Sequence, residues 1–262
     1  MSIAGSDSGG GAGLQADLKT FAALGVFGTF AITAVTAQNT ETVSFAASME
    51  PGLVRMQIET VMADMSVAAV KTGMLATPEI VSVVADLARA GLLRNLVVDP
   101  VLVSTTGRRL LDDDAVPVYL EKLFPYAEVV TPNLREARLL ADMAIPDVDA
   151  MIAAARRIAE FGPKTVVVKG GHLESDVSPD VILRDGSVEV VEAPRVPTTN
   201  DHGTGCTLSA ATTAYIARGE PPVEALKMAK CFVTKAITGS ARWRLGSGHG
   251  PLDQMGWGLQ DH

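Results

Sequence analysis

Short apolar runs alternate with amphipathic stretches along most of this 262-residue chain, and no other feature constrains its fold as strongly. The runs are Ile32–Val35, Val67–Lys71, Leu96–Asp99, Glu128–Thr131 and Thr165–Lys169. They lack a clean apolar/polar alternation, as parallel strands do when both faces are covered. Between them lie helical patterns at Leu14–Leu24, Pro78–Ala90, Leu110–Leu123 and Asp149–Phe161. That order predicts βαβ units and a mostly parallel sheet. Gly25, Gly91 and Gly162 follow three of the helices, where a left-handed residue stops a helix. Thr36–Met49 does alternate and predicts a small β flap, and Val181–Val191 reads as a hairpin turning at Asp185-Gly186. After Gly203 the pattern is helical over Thr207–Arg218 and Pro222–Ser240, and Arg242–His262 is Gly-rich without a clear period. With no repeat and no linker, the expectation is one domain, 1–262.

Composition removes several function classes. Lys plus Arg number 22 and Asp plus Glu 30, a net charge of −8. An acidic chain is a poor match for nucleic acid or an anionic membrane, but net acidity does not exclude a local positive site for a small anion. The two cysteines, Cys206 and Cys231, form neither a disulfide framework nor a zinc motif, which suits a reducing, cytoplasmic setting. The N-terminal residues lack the pattern of a signal peptide, and the apolar runs are too short to cross a bilayer.

Ligands of open α/β sheets sit beyond the carboxyl ends of the strands. Those ends read Lys71-Thr72-Gly73-Met74, Asp99-Pro100, Thr131-Pro132-Asn133 and Lys169-Gly170-Gly171. A fifth candidate is Gly203-Thr204-Gly205-Cys206 at the start of a helix. There, backbone N–H groups and the helix dipole suit a phosphate in transfer. On spacing alone, a plain helix-capping turn fits equally well. A thiol so placed is expected to have a lowered pKa, making Cys206 a candidate base. Gly5-Ser6-Asp7-Ser8-Gly9-Gly10-Gly11-Ala12-Gly13 invites close approach of backbone and ligand, but it is neither GxGxxG nor a P-loop. Asp17, in the helix that follows, either meets a ligand or complements the helix dipole, and the second reading is the simpler. Asn133 and Glu136 have capping-box spacing, and with Asp99 they also form a carboxylate pair of the kind that holds Mg²⁺. His172 and His202 belong to no recognisable catalytic set.

Seven stretches in order identify a family resemblance: Ser2 to Asp17, Ala34-Val35-Thr36-Ala37-Gln38-Asn39-Thr40, Lys71-Thr72-Gly73-Met74-Leu75, Val97-Val98-Asp99-Pro100-Val101, Thr131-Pro132-Asn133, Val168-Lys169-Gly170-Gly171-His172 and His202-Gly203-Thr204-Gly205-Cys206-Thr207-Leu208-Ser209. The chain resembles the hydroxymethylpyrimidine and hydroxymethylpyrimidine-phosphate kinases of thiamin biosynthesis, within the ribokinase superfamily. The resemblance implies a ribokinase-like three-layer α/β/α sandwich, a homodimer, ATP, Mg²⁺, a possible monovalent cation and two successive phosphorylations. It further implies that Gln38 binds the aminopyrimidine with Asp17 and Gly5 beside it, and that Met74 and Val101 wall the ring. Gly203, Thr204, Gly205 and Cys206 would serve the transferring phosphoryl, Cys206 standing where most of the superfamily has an aspartate base. Asn133 and Lys169 would lie near the nucleotide, and Glu136 and Asp99 would support the metal. Pyridoxal kinases share the scaffold, but Gln38 and Met74 favour a pyrimidine. A non-catalytic pyrimidine binder would need neither the nest nor the carboxylates. The chain departs from the family pattern at Asp201, a second candidate base, at Val103-Ser104-Thr105-Thr106-Gly107, and in having almost no first strand before Ile3.

Overall fold

The structure, a computed structural model, describes residues 1–102, 115–171, 173 and 176–259. Residues 103–107, the first part of the helix expected over 110–123, and His172 lie outside the described residues. Strands β1 (Ser2–Ser6), β2 (Phe30–Gln38), β4 (Val70–Thr72), β5 (Leu96–Val98), β6 (Val129–Val130) and β7 (Thr165–Lys169) are joined by parallel pairings. The antiparallel members are β3 (Val43–Ser48), β8 (Val177–Arg184) and β9 (Ser187–Pro194). Across the sheet the order is β3-β2-β1-β4-β5-β6-β7-β8-β9.

Side-chain alternation explains the continuous apolar runs. Leu96 and Val98 face one layer together with Val70, Val130, Val166 and Val168. Val97, between them, faces the other with Val129, Val167 and Ile182. Each buried side chain of this size contributes about 1.5–3 kcal/mol, so neither face tolerates a polar residue cheaply. The first face is covered by α2 (Pro51–Asp64), α3 (Pro78–Arg89), α5 (Leu134–Ala141) and α6 (Val148–Ala159). The short α4 (Ala115–Val118) leads there into a π-helical turn, Tyr119–Leu123, and a 3-10 turn, Phe124–Tyr126. The second face is covered by α7 (Thr204–Ala217) and α8 (Pro222–Ser240), with α1 (Gly13–Ala23) packed against α7. The result is the three-layer α/β/α sandwich. None of the described helices is long and apolar enough to cross a membrane.

The expected flap is present as β3 paired to the end of β2. The expected hairpin is β8–β9, and Asp185 and Gly186 turn it with φ of 49° and 78°. Gly25, Gly91 and Gly162 all take positive φ after their helices. Three expectations change. The first strand forms fully and pairs on both sides, because its partners β2 and β4 supply the hydrogen bonds. Helix α2 has no counterpart in the sequence reading. It buries only Val54 and Ile58, an apolar stripe too narrow to show as a period. The described part of the stretch expected over Leu110–Leu123 is not one regular helix, and Pro117 falls in it.

Candidate active site

The carboxyl ends of the parallel strands frame one cavity of about 400 Å³. Its wall follows the sheet order: Gln38 ends β2, Gly5 lies near the end of β1, and Gly73 and Met74 follow β4. Asp99 and Val101 follow β5, Asn133 and Glu136 follow β6, and Lys169 ends β7. The residues 201–206 close it from above, so every expected site residue except Asp17 borders this cavity.

Gly203 takes φ +86°, and a Cβ there would overlap the Gly11 carbonyl oxygen. Only glycine lets the two loops meet this closely. At the other end of the motif, a Cβ on Gly205 would stand 3.1 Å from Lys169 Nζ and 3.8 Å from Asp99 Oδ2. The nest Gly203–Cys206 therefore touches the Gly-rich loop on one side and a lysine–carboxylate pair on the other. First-turn N–H groups have no acceptor within their own helix, so the N-terminus of α7 can receive an anion.

The Gly-rich loop is ordered by Asp7. Its carboxylate accepts from the N–H groups of Gly9 (2.8 Å), Gly11 (3.1 Å) and Ala12 (2.9 Å), and its Oδ2 lies 2.9 Å from His202 Nε2. Burial alone would raise the Asp7 pKa, but His202 and these donors outweigh it and hold it below the usual carboxylate value. His202 Nε2 also lies 3.3 Å from Gln38 Nε2, and Thr36 Oγ1 donates to Gln38 Oε1 at 3.2 Å. His202, without a role in the sequence reading, thus joins the nest to the amide at the far wall. The side chains of Met74 and Val101 are half-buried in the wall, and the Met74 methyl occupies the space a Cβ on Gly5 would need.

On the other side, Asp99 Oδ1 accepts from Lys169 Nζ (3.0 Å) and Thr131 Oγ1 (3.3 Å), and its Oδ2 from Ser209 Oγ (3.2 Å). Burial would lower the Lys169 pKa, but Asp99 and Glu136 raise it above the ordinary value, so the ammonium is kept. Asn133 and Glu136 form the capping box: Asn133 Oδ1 accepts from the N–H groups of Arg135 and Glu136, and Glu136 Oε2 accepts from that of Asn133. Glu136 Oε1 accepts from the Leu102 N–H at 3.2 Å. Burial pushes this carboxyl up to about 7; Lys169 opposes that and Asp99 adds to it. Among the described residues no group of three or more His, Cys, Asp or Glu forms a closed metal cage. Two neighbouring carboxyls at the cavity edge, one raised by burial, nevertheless fit Mg²⁺, which keeps several waters and takes one or two carboxylates beside phosphate.

Two expectations need correction. Asp17 is fully buried and does not reach the cavity; its Oδ2 accepts from Ser2 Oγ (2.5 Å) and Lys71 Nζ (2.9 Å). It pairs with an ammonium beneath the cavity floor, so the substrate-binding role fails on geometry. The Cys206 thiol is not lowered but pushed up to about 11, because burial outweighs the opposing Lys71 charge and the Gly13 N–H. Asp201, the second candidate base, is half-exposed and bonded to His249 Nδ1 at 2.6 Å.

The sequence reading missed the far end of the cavity. Lys230 on α8 reaches Asp180 Oδ2 (2.8 Å) and Ser178 Oγ (3.2 Å), and Asp180 Oδ1 accepts from the Gly170 N–H (3.0 Å). A signal existed: Lys230 adjoins Ala229 in the buried stripe Ala225, Leu226, Ala229, Val233 and Ala236, where a cation has no reason to sit unless paired.

Comparison with known proteins agrees with this geometry. The family model described as phosphomethylpyrimidine kinase matches residues 7–253. The hydroxymethylpyrimidine/phosphomethylpyrimidine kinase of Rhizobium meliloti is 47% identical over 96% of this chain and 95% of its own. The enzyme of the same name from Haemophilus influenzae is 45% identical over 98% and 96%. Among solved structures, an ADP complex of Bacillus subtilis pyridoxal kinase superposes with a TM-score of 0.90 at 37% identity, covering 99% of this chain and 98% of that one. The phosphomethylpyrimidine kinase of Clostridium difficile 630 gives 0.80 at 39%, covering 90% and 97%. With the ribokinase-like sandwich and these relatives in agreement, the chain belongs to the phosphomethylpyrimidine kinase family.

Proposed function

We propose that this chain, acting as one domain, phosphorylates the hydroxymethyl oxygen of 4-amino-5-hydroxymethyl-2-methylpyrimidine with ATP. It then phosphorylates the monophosphate to the pyrophosphate for thiamin biosynthesis. One observation carries the reading: the nest Gly203–Cys206 lies between the Gln38 wall and the lysine-rich end of a single cavity. An acceptor ring against Gln38, Met74 and Val101 and a nucleotide near Asn133, Lys169 and Lys230 would present both reacting groups to the same N–H donors. Gln38 offers an amide that both donates and accepts, as an aminopyrimidine edge requires. Lys169 and the nest meet the charge that spreads over the phosphoryl oxygens, the dominant need in this chemistry. Asp99 and Glu136 would hold Mg²⁺, which would supply neutralising charge to the phosphates. Cys206 takes the acceptor proton through its thiolate fraction, so turnover rises with pH above neutrality. The assembly is a homodimer in this reading.

The test is product mass on hydroxymethylpyrimidine, its monophosphate and pyridoxal in parallel, each with ATP. Two phosphates added to the pyrimidine is the expected result. Pyridoxal phosphate as the main product would keep the fold and the nest but overturn the substrate.

A further inference from the structure

His202 borders the cavity, yet the proposed reaction leaves it without a task. Its backbone N–H is held by the Gly250 carbonyl at 3.0 Å. A Cβ added at Gly11 would lie 2.5 Å from its Cδ2, so the ring has little room to swing. Its Nε2 lies 2.9 Å from Asp7 Oδ2 and 3.3 Å from the Gln38 amide nitrogen. Asp7 already receives three backbone N–H groups, so order in the Gly-rich loop does not by itself call for a histidine.

The oxygen and nitrogen of an amide occupy the same space, and their hydrogen-bond partners tell them apart. At Gln38 both partners select the same direction. Asp7 is held ionised and can only accept, so His202 Nε2 carries a proton and donates to it. A Gln38 nitrogen 3.3 Å from that Nε2 would set one donor against another. On the opposite side, Thr36 Oγ1 has a single proton. The Ser6 carbonyl, at 2.7 Å, is the nearer of its two acceptors, and Gln38 Oε1 is 3.2 Å away. With that proton given to Ser6, Thr36 offers the amide only lone pairs. A half-turn of the Gln38 amide resolves both sides: its oxygen accepts from His202 and its nitrogen donates to Thr36. The Gln38 backbone stays in place, since Ser8 Oγ binds both its N–H and its C=O at 2.7 Å.

We infer that His202, braced by Asp7, is a positioning residue that fixes the Gln38 amide with its oxygen toward His202 and its nitrogen toward Thr36. The inference rests on the proposed pyrimidine reading and gives the ring a direction. Each amide atom keeps one free valence for the cavity, a lone pair on oxygen and an N–H on nitrogen. These match an amino group and the ring nitrogen beside it. With the oxygen on the His202 side, the 4-amino group lies on that side too. The hydroxymethyl on the adjoining carbon then points toward Gly203, which follows His202 and begins the nest. The opposite amide direction would turn the ring over and carry the hydroxymethyl away from the nest.

The probe is the 4-oxo analogue of hydroxymethylpyrimidine, which presents an acceptor and a ring N–H where the substrate presents a donor and an acceptor. A fixed amide mismatches both, so the parent should prefer the amino compound by about 10²-fold in kcat/KM. His202→Phe keeps a ring against Gly11 but has no donor. The amide then turns freely, and the preference should fall below about tenfold. His202→Gln returns an N–H donor and should restore it. Loosened packing would weaken both compounds alike and leave their ratio unchanged. A His202→Phe protein with the parent ratio, or a His202→Gln protein without it, overturns the inference. Should His202→Phe fail to fold, nuclear Overhauser contacts of the Gln38 side-chain NH₂ in the ligand-free parent decide. Contacts to the Thr36 side chain are expected, and contacts to the His202 ring protons instead overturn the inference. If no pyrimidine is phosphorylated, the proposed function fails, while these contacts still decide the direction of the amide.

Discussion

Two lysine–carboxylate pairs sit at the ends of parallel strands in one sheet, and their depths differ. Lys71–Asp17 is sealed, with neither side chain exposed, at 2.9 Å. Lys169–Asp99 is nearly the same length, 3.0 Å, but Lys169 is 12% exposed and borders the cavity beside Gly205. The chemistry is alike, and what covers each strand end sets the difference. Ser2 and α1 close over Lys71, whereas the glycines of the nest leave Lys169 open to a ligand. A sealed pair is out of a ligand's reach, and an open pair can meet a phosphate directly.

Breaking the sealed pair on one side should give the largest effect. Asp17→Leu strands the Lys71 ammonium in the interior and should cost about 3–5 kcal/mol of stability in urea unfolding. A loss under about 1 kcal/mol would mean that water reaches Lys71, and the contrast with Lys169 would collapse. Lys169→Met should instead strike turnover, lowering kcat by about 10²–10³-fold, with the melting temperature less affected than in Asp17→Leu. Parent-like kcat would remove Lys169 from the phosphoryl path. Cys206→Ala, above the sealed pair, should lower kcat by about 10²-fold and flatten its rise with pH, leaving the pyrimidine KM alone. A variant that keeps the parent pH–rate profile would shift the base role to Asp201 or to the substrate. Gln38→Ala should raise the pyrimidine KM about tenfold at constant kcat, because it removes binding already present in the ground state. An unchanged KM takes Gln38 out of the pocket.

The smallest effect is on pH. Glu136, beside the open pair, has its carboxyl raised from 4.5 to about 7, chiefly by burial. Between those values the folded protein holds a proton that the unfolded chain has released, so ligand-free stability should fall as pH rises across the window. Thermal melts from pH 4.5 to 8 should show the decline, with a shallower slope in Glu136→Gln. Equal slopes would place the loss elsewhere.

Much of the fold was legible because it rests on local periodicity. The runs at Leu96–Val98 and Thr165–Lys169 are apolar on consecutive residues because successive side chains feed opposite cores. The glycines at 25, 91 and 162 mark helix ends for conformational reasons that need no tertiary contact. Helix α2 was illegible because its buried stripe is two residues wide. In the site, the nest, Gln38, Asp99, Lys169 and the Asn133/Glu136 box were readable from residue type at strand ends and from family resemblance. The Lys230–Asp180–Ser178 cluster was not, since it joins a helix near the C-terminus to a hairpin strand 50 residues earlier.

Sequence alone therefore determined the α/β order, the strand-end placement of the chemistry and the family, all of which depend on local pattern or on motifs in order. Tertiary structure alone decided the ionisation of Cys206 and the fate of Asp17. Both depend on how much water and which charges surround a group. A helix N-terminus promises a lowered thiol pKa, but desolvation at Cys206 outweighs it and pushes the value up to about 11. A carboxylate beside a Gly-rich loop suggests a ligand contact, but β1 and β4 bring Ser2 and Lys71 against Asp17 and close it off. Burial belongs to the assembled layers, and no stretch of the chain carries it by itself.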